Sequence, residues 1–210
     1  MNKRIFLTVV AVAAPLWFAR AGAFAGAVAK AVIGQSAPAF EVIDASEKKR
    51  TLAEFKGHPV VLEWTSPSCP FAKAQYDSGR MQELQKWATQ NGVVWLTILS
   101  SHRSRSDYLD PAKAAELARS RGAAQTALLI DASGDLGHAF GAKTANHMFV
   151  IDREGVLVYA GGIDDGETMV AKKVLLAHNH VRPALDDVLA GRPVKNPTTA
   201  PFGCALAYAG

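Results

Sequence analysis

Val60-Val61-Leu62-Glu63-Trp64-Thr65-Ser66-Pro67-Ser68-Cys69-Pro70-Phe71 is the stretch on which the reading of this chain turns. Val60–Trp64 is compact, largely apolar and β-branched at its start, which predicts a strand buried on both faces. Thr65–Cys69 has the serine and proline content of a turn. Proline is tolerated at a first helical position, so a helix is predicted from Pro70. A cysteine thus stands where a buried strand gives way to a helix. Unpaired N–H groups at a helix start favour negative charge. A thiol there ionises more readily, and the thiolate is its reactive form. Strand ends of α/β sheets are also where ligands and chemistry collect. The plainer alternative is a buried structural cysteine, or half of an inert disulfide. This stretch alone leaves both open.

Working outward, Ala31–Ala37 reads as an entry segment, Ala39–Asp44 as a short edge strand, and Thr51 as a cap over the turn Leu52–Phe55. Beyond the cysteine, Gly79 breaks the helix and Met81–Thr89 continues helical, with Met81, Leu84 and Ala88 on one face. Val93–Leu99 is a second buried strand. Asp110-Pro111 is an N-cap with proline behind it and Gly122 a matching stop, so Pro111–Arg121 is a helix. Leu128–Ile130 reads as a minor strand and Gly134–Phe140 as a short helix. Met148–Asp152 and Val156–Ala160 flank Arg153-Glu154-Gly155, a hairpin signal. A last helix falls within Ala171–Ala190, with Pro183 as its point of division. The order is strand, helix, strand, helix, hairpin, helix. It predicts an α/β fold: a mixed sheet covered by helices. The domain spans 31–192, and 193–210 is an extended tail that carries Cys204.

The N-terminus has the character of an export signal. Lys3 and Arg4 precede an uncharged apolar run, Ile5–Ala19, and small residues follow at Ala21-Gly22-Ala23 and Ala23-Phe24-Ala25. The run is shorter than the ~20 residues of a membrane span. Residues 1–25 are therefore expected to be a cleaved secretory signal, placing the mature protein in the periplasm or outside the cell with no stable membrane span. Lys3, Arg4 and Arg20 are three of the chain's 23 basic residues, so the remainder, set against 19 acidic ones, is close to neutral. No basic patch then argues for a nucleic acid partner. Cys69 and Cys204 are the only cysteines. In an exported chain such a pair is expected to be bonded, or poised to bond.

The stretch Trp64–Phe71, with its Cys-Pro-Phe step, resembles the peroxiredoxin-like branch of the thioredoxin superfamily, the alkyl hydroperoxide reductase and thiol-specific antioxidant group. Further pieces carry the same resemblance: Ile33–Phe40 at the entry, His147–Asp152 before the Gly155 hairpin, Gly161–Asp165, and Phe202-Gly203-Cys204. Together they cover about residues 33–208. The resemblance implies a thioredoxin-like fold and a thiol-dependent oxidoreductase with Cys69 as nucleophile and Cys204 as its partner. It implies a thiol reductant as electron donor and a hydroperoxide or protein disulfide as acceptor, with no cofactor or metal. Ser66 and His147 would tune the thiolate. Trp64, Pro67, Pro70, Phe71 and Asn146 would shape the turn and its pocket. Four departures bear on peroxide reduction rather than on thiol chemistry. Leu62 replaces the proline of the peroxiredoxin motif, and Ser66 replaces its threonine. His147 stands where that group has arginine. Asn146 stands where thioredoxins have a cis-proline. Ser66 also occupies the first position of a Cys-x-x-Cys frame ending at Cys69, so no disulfide closes within the turn.

Cys204 admits two roles: a resolving cysteine for oxidised Cys69, or half of a permanent disulfide in a non-catalytic binding module. The remaining constellations read as structural. His178-Asn179-His180 is a surface or capping element, since histidines two apart do not share a helix face. His102–Arg105 is a solvated loop. Asp164-Asp165 with Glu167 is read as a helix-start cap.

Overall fold

The computed structural model describes residues 30–208, so the expected signal over residues 1–25 lies outside the described residues. Strands β1 (Glu41–Ile43) and β2 (Lys49–Thr51) form an antiparallel ribbon followed by a 3-10 turn, Leu52–Phe55. Next come β3 (Val60–Thr65), α1 (Pro70–Asp77), α2 (Arg80–Gln90), β4 (Val94–Leu99) and α3 (Pro111–Ser120). The chain continues through β5 (Ala127–Ile130), α4 (Asp135–Phe140), β6 (His147–Ile151), β7 (Leu157–Gly162), α5 (Ala171–Val174) and α6 (Val181–Leu189).

The main sheet has the order β5-β4-β3-β6-β7. β3 pairs parallel with β4 and antiparallel with β6, and the β6–β7 hairpin closes one edge. β3 is therefore the central strand, and all six of its residues are buried. Alternation along it sorts the core. Val60, Leu62 and Trp64 join Leu96, Ile98, Phe149 and Phe140 on the face covered by α4 and the entry segment. Val61 joins Trp95, Met148 and Val150 on the face covered by α1, α2 and α6. This is a thioredoxin-like fold of the expected α/β class.

Several expectations are corrected in detail. The edge strand near Ala39–Asp44 joins the ribbon with β2, and its backbone meets the main sheet through Asp44 beside Leu129 and the Ala45 N–H to Leu128 O bond. These contacts shield part of the exposed edge of β5. Thr51 precedes the 3-10 turn without a side-chain capping bond. The last helix is two helices, α5 and α6, separated at residues 175–180 rather than at Pro183. Pro183 lies in the first turn of α6, where a missing N–H costs no intrahelical bond. The acidic step caps no helix. Buried Asp164 accepts from Gln75 Nε2 at 2.6 Å and from the Gly166 N–H at 2.9 Å, and so ties the loop after β7 to α1.

Candidate active site

Cys69 is the N-cap of α1, and Pro70 occupies the first helical position. No side chain caps this helix, so the N–H groups of its first turn stay available to an anion. Ala72, three residues past Cys69, is fully buried and packs with Cys69, Ala145 and Cys204. Neither Ser66, three residues before Cys69, nor Ala72, three residues after it, supplies a thiol, so no partner stands within the turn on either side. The partner comes instead from the tail: Cys69 and Cys204 are bonded across 135 positions, with their α-carbons 5.6 Å apart. That span is normal for a disulfide. The Cys204 N–H also points at Cys69 Sγ, at 3.2 Å.

The tail runs along the end of the sheet. The Ala160 N–H donates to Pro197 O, and Thr198 bridges Ala160 in parallel. Thr199 Oγ1 accepts from the Gly162 N–H at 3.0 Å. Ala205 then bridges Thr144 antiparallel, and Ala207 bridges Ser101 in parallel. Phe202 packs edge-on against Phe71 of α1, with centroids 6.0 Å apart. Tyr208 stacks on His138 and donates to Ala142 O at 2.8 Å.

The other expected site residues divide in two. Pro67, Pro70 and Phe71 lie around Cys69 as the turn and first helical turn require. The Ser66 hydroxyl is engaged within the turn, where it meets Ser68 Oγ at 3.2 Å and accepts from the Ser68 N–H at 3.3 Å. Trp64 lies in β3 and not in the turn. Its ring is fully buried against Phe140 and Phe149, and its Nε1–H donates to Ser100 Oγ at 2.9 Å. The reason is alternation, which sets Trp64 beside Leu62 on the α4 face.

His147 also belongs to that face. Its ring stacks on Phe149 at 4.3 Å and Nδ1 accepts from the Lys143 N–H at 3.3 Å. Burial, then the charge of Lys143, push its pKa down to about 4, so the ring is neutral at pH 7. Among the described residues its ring has no hydrogen bond with Cys69, whose sulfur accepts only from the Cys204 N–H. Asn146 is fully buried with a left-handed backbone, φ 68°, and its N–H donates to Trp64 O. Asparagine tolerates that conformation better than most residues. Both polar atoms of its side-chain amide lack a partner.

Two contributors escaped the sequence reading. Arg121, at the end of α3, donates to Thr65 Oγ1 at 3.2 Å and to Ser66 O at 3.1 Å. Its guanidinium lies over the Tyr76 ring, 4.6 Å from the centroid, and brings a fixed positive charge to the turn. Nothing in the sequence near Arg121 signals this reach. Glu63, fully buried in β3, accepts from Tyr76 Oη, Gln85 Nε2, Trp95 Nε1 and Thr97 Oγ1 at 2.7–3.0 Å. Its signal was in view: a carboxylate inside an otherwise apolar strand. Burial, then the charge of Glu63, push the Tyr76 phenol well above its ordinary value.

The AhpC/TSA family profile matches residues 33–160. No curated protein matches the chain. Among solved structures it is similar to a hypothetical protein from Sinorhizobium meliloti 1021, at 24% identity and TM-score 0.72, over 85% of this chain and 95% of that one. It is equally similar to an uncharacterized conserved protein from Geobacillus kaustophilus, at 23% identity and TM-score 0.72, over 85% and 93%. A peroxidoxin from Mycobacterium tuberculosis aligns at 20% identity and TM-score 0.51, over 76% of this chain and 95% of its own. At these identities the structural likenesses show the fold.

Proposed function

We propose, on the premise that this chain belongs to the AhpC/TSA family, that it is an exported thiol-dependent oxidoreductase acting through Cys69 with Cys204 as its redox partner. One observation carries the reading: the chain's two cysteines meet in a disulfide at the uncapped start of the helix that follows the central strand. A thiolate formed by reduction at Cys69 faces the N–H groups of α1, which favours it as nucleophile and as leaving group. The leader-like residues 1–25 and the cysteine content support an oxidising compartment, periplasmic or extracellular.

The chemistry balances over two electrons. With a hydroperoxide, the Cys69 thiolate attacks the distal peroxide oxygen, the O–O bond breaks, and an alcohol or water leaves after protonation. The resulting sulfenic acid condenses with the Cys204 thiol, releasing water and forming the disulfide. With a protein disulfide, the same two thiols are oxidised by exchange. In both cases an external thiol reductant restores the pair.

A second reading draws on the burial of Cys69, which is 1% exposed: the bond is architectural and the fold a binding module. One measurement separates the two. The protein is equilibrated in glutathione redox buffers and its free thiols counted. A midpoint near roughly −200 mV supports exchange chemistry, and one below about −300 mV supports the staple. Limiting hydrogen peroxide added to the reduced protein then tests the acceptor. Consumption of two thiols with a trappable Cys69 sulfenate supports peroxide reduction, and unchanged thiols exclude it.

A further inference from the structure

We infer that the groove filled by the tail is where this protein takes an extended, cysteine-bearing segment of a partner polypeptide, with the tail as a built-in stand-in for it. The inference rests on the thiol-exchange reading above and names its substrate class: a disulfide carried in an extended segment of the pattern aromatic, glycine, cysteine.

Access to the sulfur comes first. Cys69 is 1% exposed, with buried Ala72 and Ala145 packed on it and Phe71 and Cys204 beside it. A partner's sulfur reaches Cys69 from the side that Cys204 occupies. The tail is held there as a peptide would be. Ala145 N–H donates to Cys204 O at 2.9 Å, and Leu206 N–H donates to Lys143 O at 3.1 Å. With the antiparallel Thr144–Ala205 bridge, these are main-chain contacts that any extended polypeptide can make.

The groove also reads side chains. Phe202, two positions before the cysteine, is buried against Phe71. At position 203 a Cβ would lie 2.2 Å from Ala145 O, and the backbone has φ 125°, so only glycine fits. The groove floor is itself cut to admit backbone. A Cβ on Gly161 would lie 2.2 Å from Thr199 Oγ1, and one on Gly162 would lie 2.7 Å from Ala200 O.

In the reduced protein the tail is no longer tethered. The Cys69 thiolate attacks one sulfur of the partner's disulfide, forming a Cys69–partner bond and expelling the partner's other sulfur as a thiolate. The Cys204 thiolate then attacks the Cys69 sulfur, restores the internal disulfide and releases the partner's second thiolate. Two electrons pass from the cysteine pair to the partner disulfide, and both released thiolates take protons from water.

The test uses the full-length Cys204→Ser protein, in which a mixed disulfide at Cys69 cannot be resolved. It is offered the homodisulfides of three peptides, Ala-Pro-Phe-Gly-Cys-Ala-Leu-Ala and its Phe→Ala and Gly→Ala versions, with glutathione disulfide as reference. Adducts are quantified by intact mass. Burying a phenylalanine predicts roughly tenfold or more adduct with the parent peptide than with the Phe→Ala version. The Gly→Ala version is expected to fall at least as far. Adding Phe202→Ala to the protein loosens the competing tail and raises the parent peptide's yield. Equal adduct from all four disulfides overturns the groove while leaving the exchange chemistry intact. No adduct with any of them, in protein whose circular dichroism shows it folded, overturns the exchange reading itself. Should Cys204→Ser fail to fold, reduced wild-type protein replaces it, and turnover of the three homodisulfides must keep the same order.

Discussion

Reducing the Cys69–Cys204 bond tests both the architecture and the chemistry, because each assigns a different magnitude to it. The bond spans 135 positions. In the chain-entropy treatment, a loop of that length restrains the unfolded chain enough to stabilise the oxidised protein by about 5 kcal/mol. The tail's main-chain bonds and the Phe71–Phe202 contact are made by residues common to both redox forms, so in the first approximation they cancel in the comparison. For a two-electron couple, about 5 kcal/mol corresponds to roughly 100 mV between the folded and unfolded potentials. A thiolate stabilised by the first turn of α1 works against this, since it lowers the free energy of the folded, reduced protein alone. That contribution is present where the thiol is ionised and is lost as the pH falls and the sulfur takes up its proton. The catalytic reading therefore expects an oxidised-minus-reduced gap well under ~5 kcal/mol near neutral pH, widening on acidification. Urea unfolding of the oxidised protein and of the dithiothreitol-reduced protein, from about pH 5 to 8, measures it. A gap of the full ~5 kcal/mol, flat across that range, would refute thiolate stabilisation and make the bond a staple.

Two further predictions concern buried groups. Glu63→Leu leaves the donors of Tyr76, Gln85, Trp95 and Thr97 without their acceptor and is expected to cost at least about 3 kcal/mol in urea unfolding; a loss below ~1 kcal/mol would show that these donors find other partners. His147, held down to about 4, titrates nearer ~6.5 when unfolded, so the unfolded chain takes up the proton first and stability is lost as pH falls between those values. The loss is of the order of 3 kcal/mol. His147→Gln should remove that part of the acid slope, and an unchanged slope in the variant would place the titration elsewhere.

The chain's own chemistry made much of this fold readable. Val60–Trp64 and Val93–Leu99 are apolar enough to demand burial on both faces, and the structure sets them side by side at the centre of the sheet. Asp110 caps α3 through the Lys113 N–H, as an acidic residue before a proline suggests. The N-cap position of Cys69 was equally legible, because Ser66, Pro67 and Pro70 leave little choice about where strand stops and helix starts. Contacts between residues distant in sequence were not legible. The break between α5 and α6 is set by loop contacts such as the Asp165 carboxylate receiving the His178 N–H, and no local pattern marks it. His147 was expected to tune Cys69, but strand alternation sets its ring against Phe149, and among the described residues it makes no hydrogen bond to the sulfur. Arg121 reaches the turn from α3 across an interval that no motif spans. Gly161 and Gly162 were noticed only as part of a resemblance, and the tail that they admit supplies their physical reason.

Because the sulfur at position 69 is sealed by a segment 135 positions later, the bond cannot form until everything between has been made. During synthesis, and during passage across a membrane if the leader acts as one, the early thiol meets its surroundings without a partner. Sheet, helices and hairpin must be assembled before the closing segment finds its track. The disulfide thus certifies a finished molecule, and a copy cut short before residue 204 would carry a permanently open thiol.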